Sequence, residues 1–327
     1  MATVDILMAA YNGEKYIAEQ IESILAQTFT DWRLLIRDDG SSDNTPAIIE
    51  GYAAKYPDRI NVIHDDAECH SPTKNFFELL KNAEADYVMF CDQDDVWLKY
   101  KVQITLDYMK EAERKNPGKP VMVFTGLQVV DAELRSLDML LHLDFPETRY
   151  TFRELLPCNC AAGCTQMLNR VCYEGMGGFE DDIHYHDWWA SLYASVFGVI
   201  VRVPMALILY RQHGGNAVGA GVNLEGVPNI IVRLWRFICN PAPKINRRVW
   251  GRIKSMYKGY KHARVFCRRF SETMPRERVR EFDEYSKLFG KSFAQRLTAM
   301  IKHRKLYHFT HNMRNASLLP LVIFGCE

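Results

Sequence analysis

Short apolar runs alternate with longer stretches of helical period through the first half of the chain. Val4–Ala10 reads as a strand, and Glu14 to Ala26 follows it with apolar residues recurring on one helical face. Trp32–Arg37 predicts a second strand, after which Asn44 or Thr45 caps a helix with Pro46 in its first turn. Ile60–His64 predicts a third strand, with a helix from about Thr73 to Asn82. Tyr87–Cys91 predicts a fourth, with a helix from about Leu98 to Lys115. The fourth run has no polar side, as expected for a strand covered on both faces. Such alternation predicts a parallel, doubly wound sheet. Beyond Pro120 the pattern loosens: Val121–Phe124, Cys164–Leu168, Gly198–Val203 and Ala206–Tyr210 read as strands, and His184 to Trp189 opens a helix.

Sheets of this kind bind ligands beyond the carboxyl ends of their strands, and the polar clusters fall there. Tyr11-Asn12-Gly13 follows the first strand, Asp38-Asp39-Gly40-Ser41 the second, and Asp92-Gln93-Asp94-Asp95 the fourth. Three clusters on one rim predict a site. The last crowds three carboxylates into four positions, which is unfavourable unless a positive charge sits among them. Hard oxygen ligands suit Mg²⁺ or Mn²⁺, which bind through one or two carboxylates together with substrate phosphates. Asp alone also favours helix starts, but the buried strand ahead of this cluster favours the metal.

The other clusters leave two readings open. Asp38 to Asp43 serves as a turn and cap, or offers a carboxylate to the imide N–H of uracil or thymine. Asn12-Gly13 makes a tight strand-to-helix turn, with backbone available to a base. Asp187, between His186 and the pair Trp188-Trp189, is an N-capping residue beside two core tryptophans, or a base that takes an acceptor hydroxyl proton with a tryptophan stacked on a sugar. His213, after Arg211 and before Gly214-Gly215, is placed to reach a metal or a diphosphate, and Arg211 to pair with phosphate.

Charge divides the chain. Residues 1–227 carry 19 Lys and Arg against 34 Asp and Glu, a net of −15, whereas residues 228–327 carry 22 against 6, a net of +16. The boundary falls in the Gly-rich segment Gly214–Pro228, giving a domain at 1–226 and a basic helical region at 227–327. That region interleaves Trp235, Phe237, Trp250, Tyr257, Tyr260 and Phe266 with its cations, a composition suited to an anionic membrane surface. A supporting appendage or a homodimer contact are the other uses, and no nucleic-acid motif accompanies the charge. Nine cysteines without a framework point to a reducing compartment. Cys158, Cys160 and Cys164 read as buried small hydrophobes rather than a metal set, since no further thiol or His completes one. With no signal peptide and no run near the roughly 20 apolar residues of a spanning helix, a cytoplasmic protein is expected, with any contact at the inner face of the membrane peripheral.

Taken in order, Ala9-Ala10-Tyr11-Asn12-Gly13, Asp38 to Asp43, Cys91-Asp92-Gln93-Asp94-Asp95-Val96-Trp97, His186-Asp187-Trp188-Trp189 and Tyr210-Arg211-Gln212-His213 closely resemble glycosyltransferase family 2 over about residues 3–216. The resemblance implies the A-type glycosyltransferase fold, a Rossmann-like mixed α/β sheet with helices on both faces, followed here by the basic helical region. It also implies a nucleotide-sugar donor, Mn²⁺ or Mg²⁺, and inversion at the anomeric carbon. By position, Asp39 resembles the base-binding carboxylate, Asp92 the ribose or diphosphate residue, Asp94 the metal ligand with Asp92 beside it, and His213 the late metal or phosphate histidine. Ala10, Tyr11, Asn12, Glu14, Gln93, Arg211 and Trp188 fall among the expected nucleotide-sugar contacts. Asp187 resembles the general base, although many members have Glu-Asp where this chain has His186-Asp187. Asp95 is the carboxylate least expected to be essential. The Asp-Gln-Asp-Asp-Val-Trp and His-Asp-Trp-Trp variants look most like bacterial rhamnosyltransferases of cell-surface polysaccharide assembly. They imply dTDP-β-L-rhamnose as donor and a glycan or lipid-linked acceptor, with UDP-glucose, UDP-galactose or UDP-N-acetylglucosamine as alternative donors. A non-catalytic nucleotide-sugar-binding module would need neither base nor metal. A nucleotidyltransferase normally opens with a Gly-rich, basic loop, which Ala9–Gly13 is not.

Overall fold

The structure is a computed structural model, and it describes residues 2–65, 67, 69–141, 150–213, 257–289 and 292. Chain contacts divide it into two units, Met1–Asn216 and Ala217–Glu327. The Gly214–Pro228 boundary segment, Trp235, Phe237 and Trp250 lie outside the described residues.

The first unit is built on one mixed sheet with nine strands among the described residues. Strands β1 (Val4–Ala10), β2 (Trp32–Asp38), β3 (Ile60–Val62) and β4 (Tyr87–Asp92) run parallel in the order β3-β2-β1-β4. The helices between them are α1 (Ile17–Leu25), α2 (Thr45–Lys55) and α3 (Pro72–Leu80). Val4, Ile6, Leu7, Val88, Met89 and Phe90 are fully buried, which is why these strands lack an alternating polar face. After the short β5 (Val96–Trp97) and α4 (Lys101–Lys115), β6 (Val121–Val130) continues the sheet and folds back on β7 (Ser136–Leu141). Next come α5 (Phe152–Leu155), β8 (Gln166–Asn169), α6 (Arg170–Gly175), α7 (His186–Phe197) and β9 (Val199–Arg211).

The sheet departs from a wholly parallel arrangement at β8, which is antiparallel to both β4 and β6. A strand reversed there carries its N-terminal end, preceded by Cys164, to the rim where β4 ends. Beyond it, β9 runs parallel to β6, and β5 pairs antiparallel with β9 through Val96↔Leu209 and Trp97↔Ile208. Pairing of Ala10 with Asp38 and of Ala9 with Asp92 sets three strand ends level. One rim thereby collects the ends of β1, β2, β4 and β9 and the start of β8.

Within the second unit, a helix α8 over 257–269 precedes α9 (Arg276–Ser286). Ala263, Phe266, Tyr285 and Leu288 are buried. Tyr260 stacks on Phe289 at 4.3 Å and on Phe282 at 6.2 Å, so three of its apolar side chains meet in one aromatic layer. No helix among the described residues is long and apolar enough to cross a membrane.

Candidate active site

Three rim loops are tied to one another by side chains bonded to backbone. The Gln93 amide donates to Tyr11 O at 2.8 Å and accepts from Tyr11 N at 2.9 Å, so the loop after β4 grips the loop after β1. Asn12 adopts a left-handed φ of 47°, a conformation Asn tolerates better than most residues. Its N–H donates to Ser41 Oγ and its Oδ1 accepts from Ser42 N, joining the first loop to the second. Gly13 N donates to Thr45 Oγ1, and Glu14 Oε2 accepts from Asn44 N. Glu14 is thereby engaged with α2, and α1 starts at Ile17 rather than Glu14. Neither Asn44 nor Thr45 caps α2 by its side chain: Asp43 Oδ1 accepts from Thr45 N at 3.0 Å.

Asp38 holds its own turn, accepting from the N–H groups of Gly40 and Ser41. Asp39 turns the other way. Its carboxylate accepts from Cys69 N at 3.1 Å and faces Arg37, itself clamped by Asp65 and Asn75. Tyr11 is 56% exposed, whereas Ala10 is buried at the strand end and offers only backbone.

The carboxylates after β4 separate by partner. Asp94 Oδ2 lies 2.8 Å from His213 Nε2, and the His213 ring rests 4.7 Å from Tyr16. Asp92, Asp95 and Cys164 each offer a ligand atom, all within 4.8 Å of one another. Burial, with Asp94 and Asp187 nearby, raises the Asp92 carboxyl above the usual carboxylate range. Asp95 is fully buried and its Oδ1 accepts from Arg211 N at 3.0 Å. Cys164 is buried as expected, yet its thiol meets two carboxylates, which the apolar reading of the cysteines did not foresee. The Tyr210 hydroxyl is pushed up by burial and by Cys164, Asp92, Asp95 and Asp94, which places it beside the same cluster.

Asp187 occupies the first turn of α7, where its Oδ1 accepts from Trp188 N at 2.7 Å. Burial pushes its carboxyl up to about 6, against hydrogen bonds from Trp188 N–H, Asn159 and Gly163 N–H. A base with that value is mostly ionised near neutrality and so able to accept a proton. His186 faces inward, 3.9 Å from Phe76 and 4.7 Å from Phe90, and burial lowers it to about 3, so the ring is neutral.

Two expected contacts are relocated. Trp188 is 6% exposed and donates its indole N–H to Leu155 O, so its rings pack in the core instead of offering a sugar platform. Arg211 is 1% exposed, and its guanidinium donates to Asp94 O, Ala132 O and Glu19 while lying 4.5 Å from the Tyr16 ring. It braces the loop that carries Asp94 and does not face outward toward a phosphate. Residue type alone suggested phosphate; Glu19, a distant partner in sequence, decides otherwise.

The model of the family described as Glycosyl transferase family 2 matches residues 5–173, more than half the chain. This chain belongs to glycosyltransferase family 2. The transferase is 30% identical over 233 residues to the dTDP-rhamnosyl transferase RfbG of Shigella flexneri, covering 67% of this chain and 75% of that protein. It is 31% identical over 169 residues to the putative teichuronic acid biosynthesis glycosyltransferase TuaG of Bacillus subtilis, covering 51% and 62% of the two chains. Among solved structures, S. aureus TarS 1–349 in complex with UDP-GlcNAc superposes with a TM-score of 0.55 at 17% identity, over 98% of this chain and 90% of that one. At that identity the likeness concerns the fold, and the A-type architecture expected from the sequence is the one present.

Proposed function

We propose that this glycosyltransferase moves a sugar, with inversion, from a nucleoside diphosphate to a hydroxyl of a glycan or lipid-linked acceptor in cell-surface polysaccharide synthesis. One observation carries the reading: a half-buried carboxylate raised to about 6, Asp187, faces the rim on which Asp92 and the Asp94–His213 pair stand. Asp187 takes the acceptor proton as the new bond forms on the face opposite the leaving group. Asp39 and the Tyr11–Gly13 backbone hold the base, and Asp92 faces the ribose and diphosphate. Carboxylate oxygens and an imidazole nitrogen fit Mn²⁺ or Mg²⁺, and burial together with the neighbouring Asp94 and Asp187 raises Asp92, a carboxyl that a cation would relieve. Asp94, His213 and Asp92 would hold the cation, which when bound supplies charge stabilisation to the departing nucleoside diphosphate.

The likeness to RfbG, together with the Asp-Gln-Asp-Asp-Val-Trp and His-Asp-Trp-Trp motifs, favours dTDP-β-L-rhamnose as donor. The likeness to TuaG supports an envelope polysaccharide as product. The basic C-terminal region, with Lys258, Arg264 and Arg268 exposed on α8, fits peripheral contact with an anionic inner membrane face. A donor-hydrolysis and transfer screen across dTDP-rhamnose, UDP-glucose, UDP-galactose and UDP-N-acetylglucosamine, with and without Mn²⁺, tests the reading. Preference for dTDP-rhamnose is expected; preference for a UDP-sugar overturns the donor and keeps the reaction. Metal-independent binding without turnover on any donor overturns the reaction in favour of a binding module. Asp187→Asn should lose transfer and retain donor binding.

A further inference from the structure

A polar loop between α5 and β8 lies flush against the first turn of α7. Gly163, which opens the single 3₁₀ turn Gly163–Thr165, has no room there for a side chain: a Cβ would stand 2.6 Å from His186 Nε2 and 3.4 Å from Asp187 Cβ. The Gly163 N–H and the Asn159 side chain both reach the Asp187 carboxylate, beside Trp188 N–H at 2.7 Å. Gly163 and Trp188 contribute backbone donors, which substitution leaves in place. Asn159 is the donor to that carboxylate that a side-chain change can remove.

The Asn159 amide is itself fixed at both ends. Its Oδ1 accepts from Cys160 N at 2.9 Å and from Ser191 Oγ at 2.8 Å, and its Nδ2 donates to Ala161 O at 2.6 Å. With the oxygen committed to donors the amide has one orientation, and its second N–H is left for Asp187. Ser191, one turn beyond Asp187, also places its Oγ 2.9 Å from Asp187 O, so one hydroxyl spans loop and helix. Gln166, fully buried at the start of β8, ties the two again: its Nε2 donates to Ala161 O and to Asp187 O, each at 3.1 Å. A carboxylate in the first turn of a helix has several staggered rotamers open to it, and a base held a fraction of an ångström off its target loses much of its effect. We propose that Asn159 is a positioning residue: held by Cys160, Ala161 and Ser191, it aims the Asp187 carboxylate at the acceptor hydroxyl. The inference rests on the reading of Asp187 as the base.

The test compares Asn159→Ala and Asp187→Asn with the wild type, all as the full chain. The rate is hydrolysis of whichever of dTDP-rhamnose, UDP-glucose, UDP-galactose and UDP-N-acetylglucosamine the wild type turns over fastest, and the matching nucleoside diphosphate is titrated by calorimetry with Mn²⁺ present. N159A should lose roughly tenfold to a hundredfold in kcat, while the stoichiometry and Kd of nucleotide binding stay at wild-type values. A residue that only supported the fold would lower kcat and the binding stoichiometry together, and that result overturns the proposal, as does an N159A with wild-type kcat. If N159A does not fold, Asn159→Asp decides. It keeps the Oδ1 contacts and removes the donor, so a lowered kcat with unchanged nucleotide binding supports the proposal and a wild-type kcat overturns it. A D187N that retains full turnover sinks the base reading and the positioning with it, as does a wild type that turns over none of the four donors. An inactive D187N beside a fully active N159A sinks the positioning alone.

Discussion

Gly13→Ala is the sharpest probe of whether the rim loops hold the donor, as proposed. A Cβ built on Gly13 would stand 3.0 Å from Gln93 Nε2, 2.5 Å from its amide carbon and closer still to Oε1. Real Cβ contacts essentially never fall below 3.0 Å, so the Gln93 side chain must swing away. Moving it forfeits both bonds to the Tyr11 backbone, at 2.8 and 2.9 Å. At about 1 kcal/mol net per hydrogen bond the loss is about 2 kcal/mol. Water can reach the freed Tyr11 groups, so the cost falls on the fraction of molecules with the two loops in register. If the donor requires that register, 2 kcal/mol converts to about 30-fold weaker binding. Titration calorimetry of dTDP and UDP with Mn²⁺ reads this directly. Gln93→Ala should weaken binding similarly, and the double variant no more than either single one. Normal binding by G13A, or a loss in G13A that Q93A does not share, refutes the reasoning.

Other perturbations follow from the same geometry. With Asp187 as the proposed base, raised to about 6, kcat/KM should climb with pH through about 6 and then level; a profile flat down to pH 4.5 contradicts that role. His186 is held neutral with a value lowered from 6.5 to about 3, so the unfolded chain binds the extra proton between those values. Stability should therefore be full above about 6.5 and fall with acidification, by up to about 1.4 kcal/mol per pH unit. His186→Phe should flatten that part of a melting-temperature-against-pH curve, and an unchanged curve counts against burial as the cause. His213→Ala should raise the Mn²⁺ concentration for half-maximal donor binding about 10-fold or more; an unaltered Mn²⁺ titration would release His213 from the site.

Much of the frame was legible in the chain because its strands are uniformly apolar. β1 begins and ends where the pattern places it, and β4 extends one residue further, to Asp92 itself. What escaped was either too short or too exposed to carry a period. β5 is two residues long, and β7 carries Leu137 and Leu140 outward. Pro204 split β9 into two readings, yet the strand is continuous because a register shift against β6 after Thr125 and Val203 absorbs the missing donor. Asp92, Asp94, Asp187 and His213 were visible as residue types at strand and helix ends. The inward turn of Arg211 and Trp188 was not, since Glu19 and Leu155 settle it from far along the chain.

The cross-bonded rim has a consequence for ligand capture. Because Gln93, Asn12, Thr45 and Glu14 already fasten the loops after β1, β2 and β4, the entropy of ordering them is lost during folding. A nucleotide then meets a preorganised surface, and little of its contact energy goes into arranging backbone. Its association should be limited by diffusion and charge steering rather than by loop closure. Any slow step in turnover then falls after donor capture.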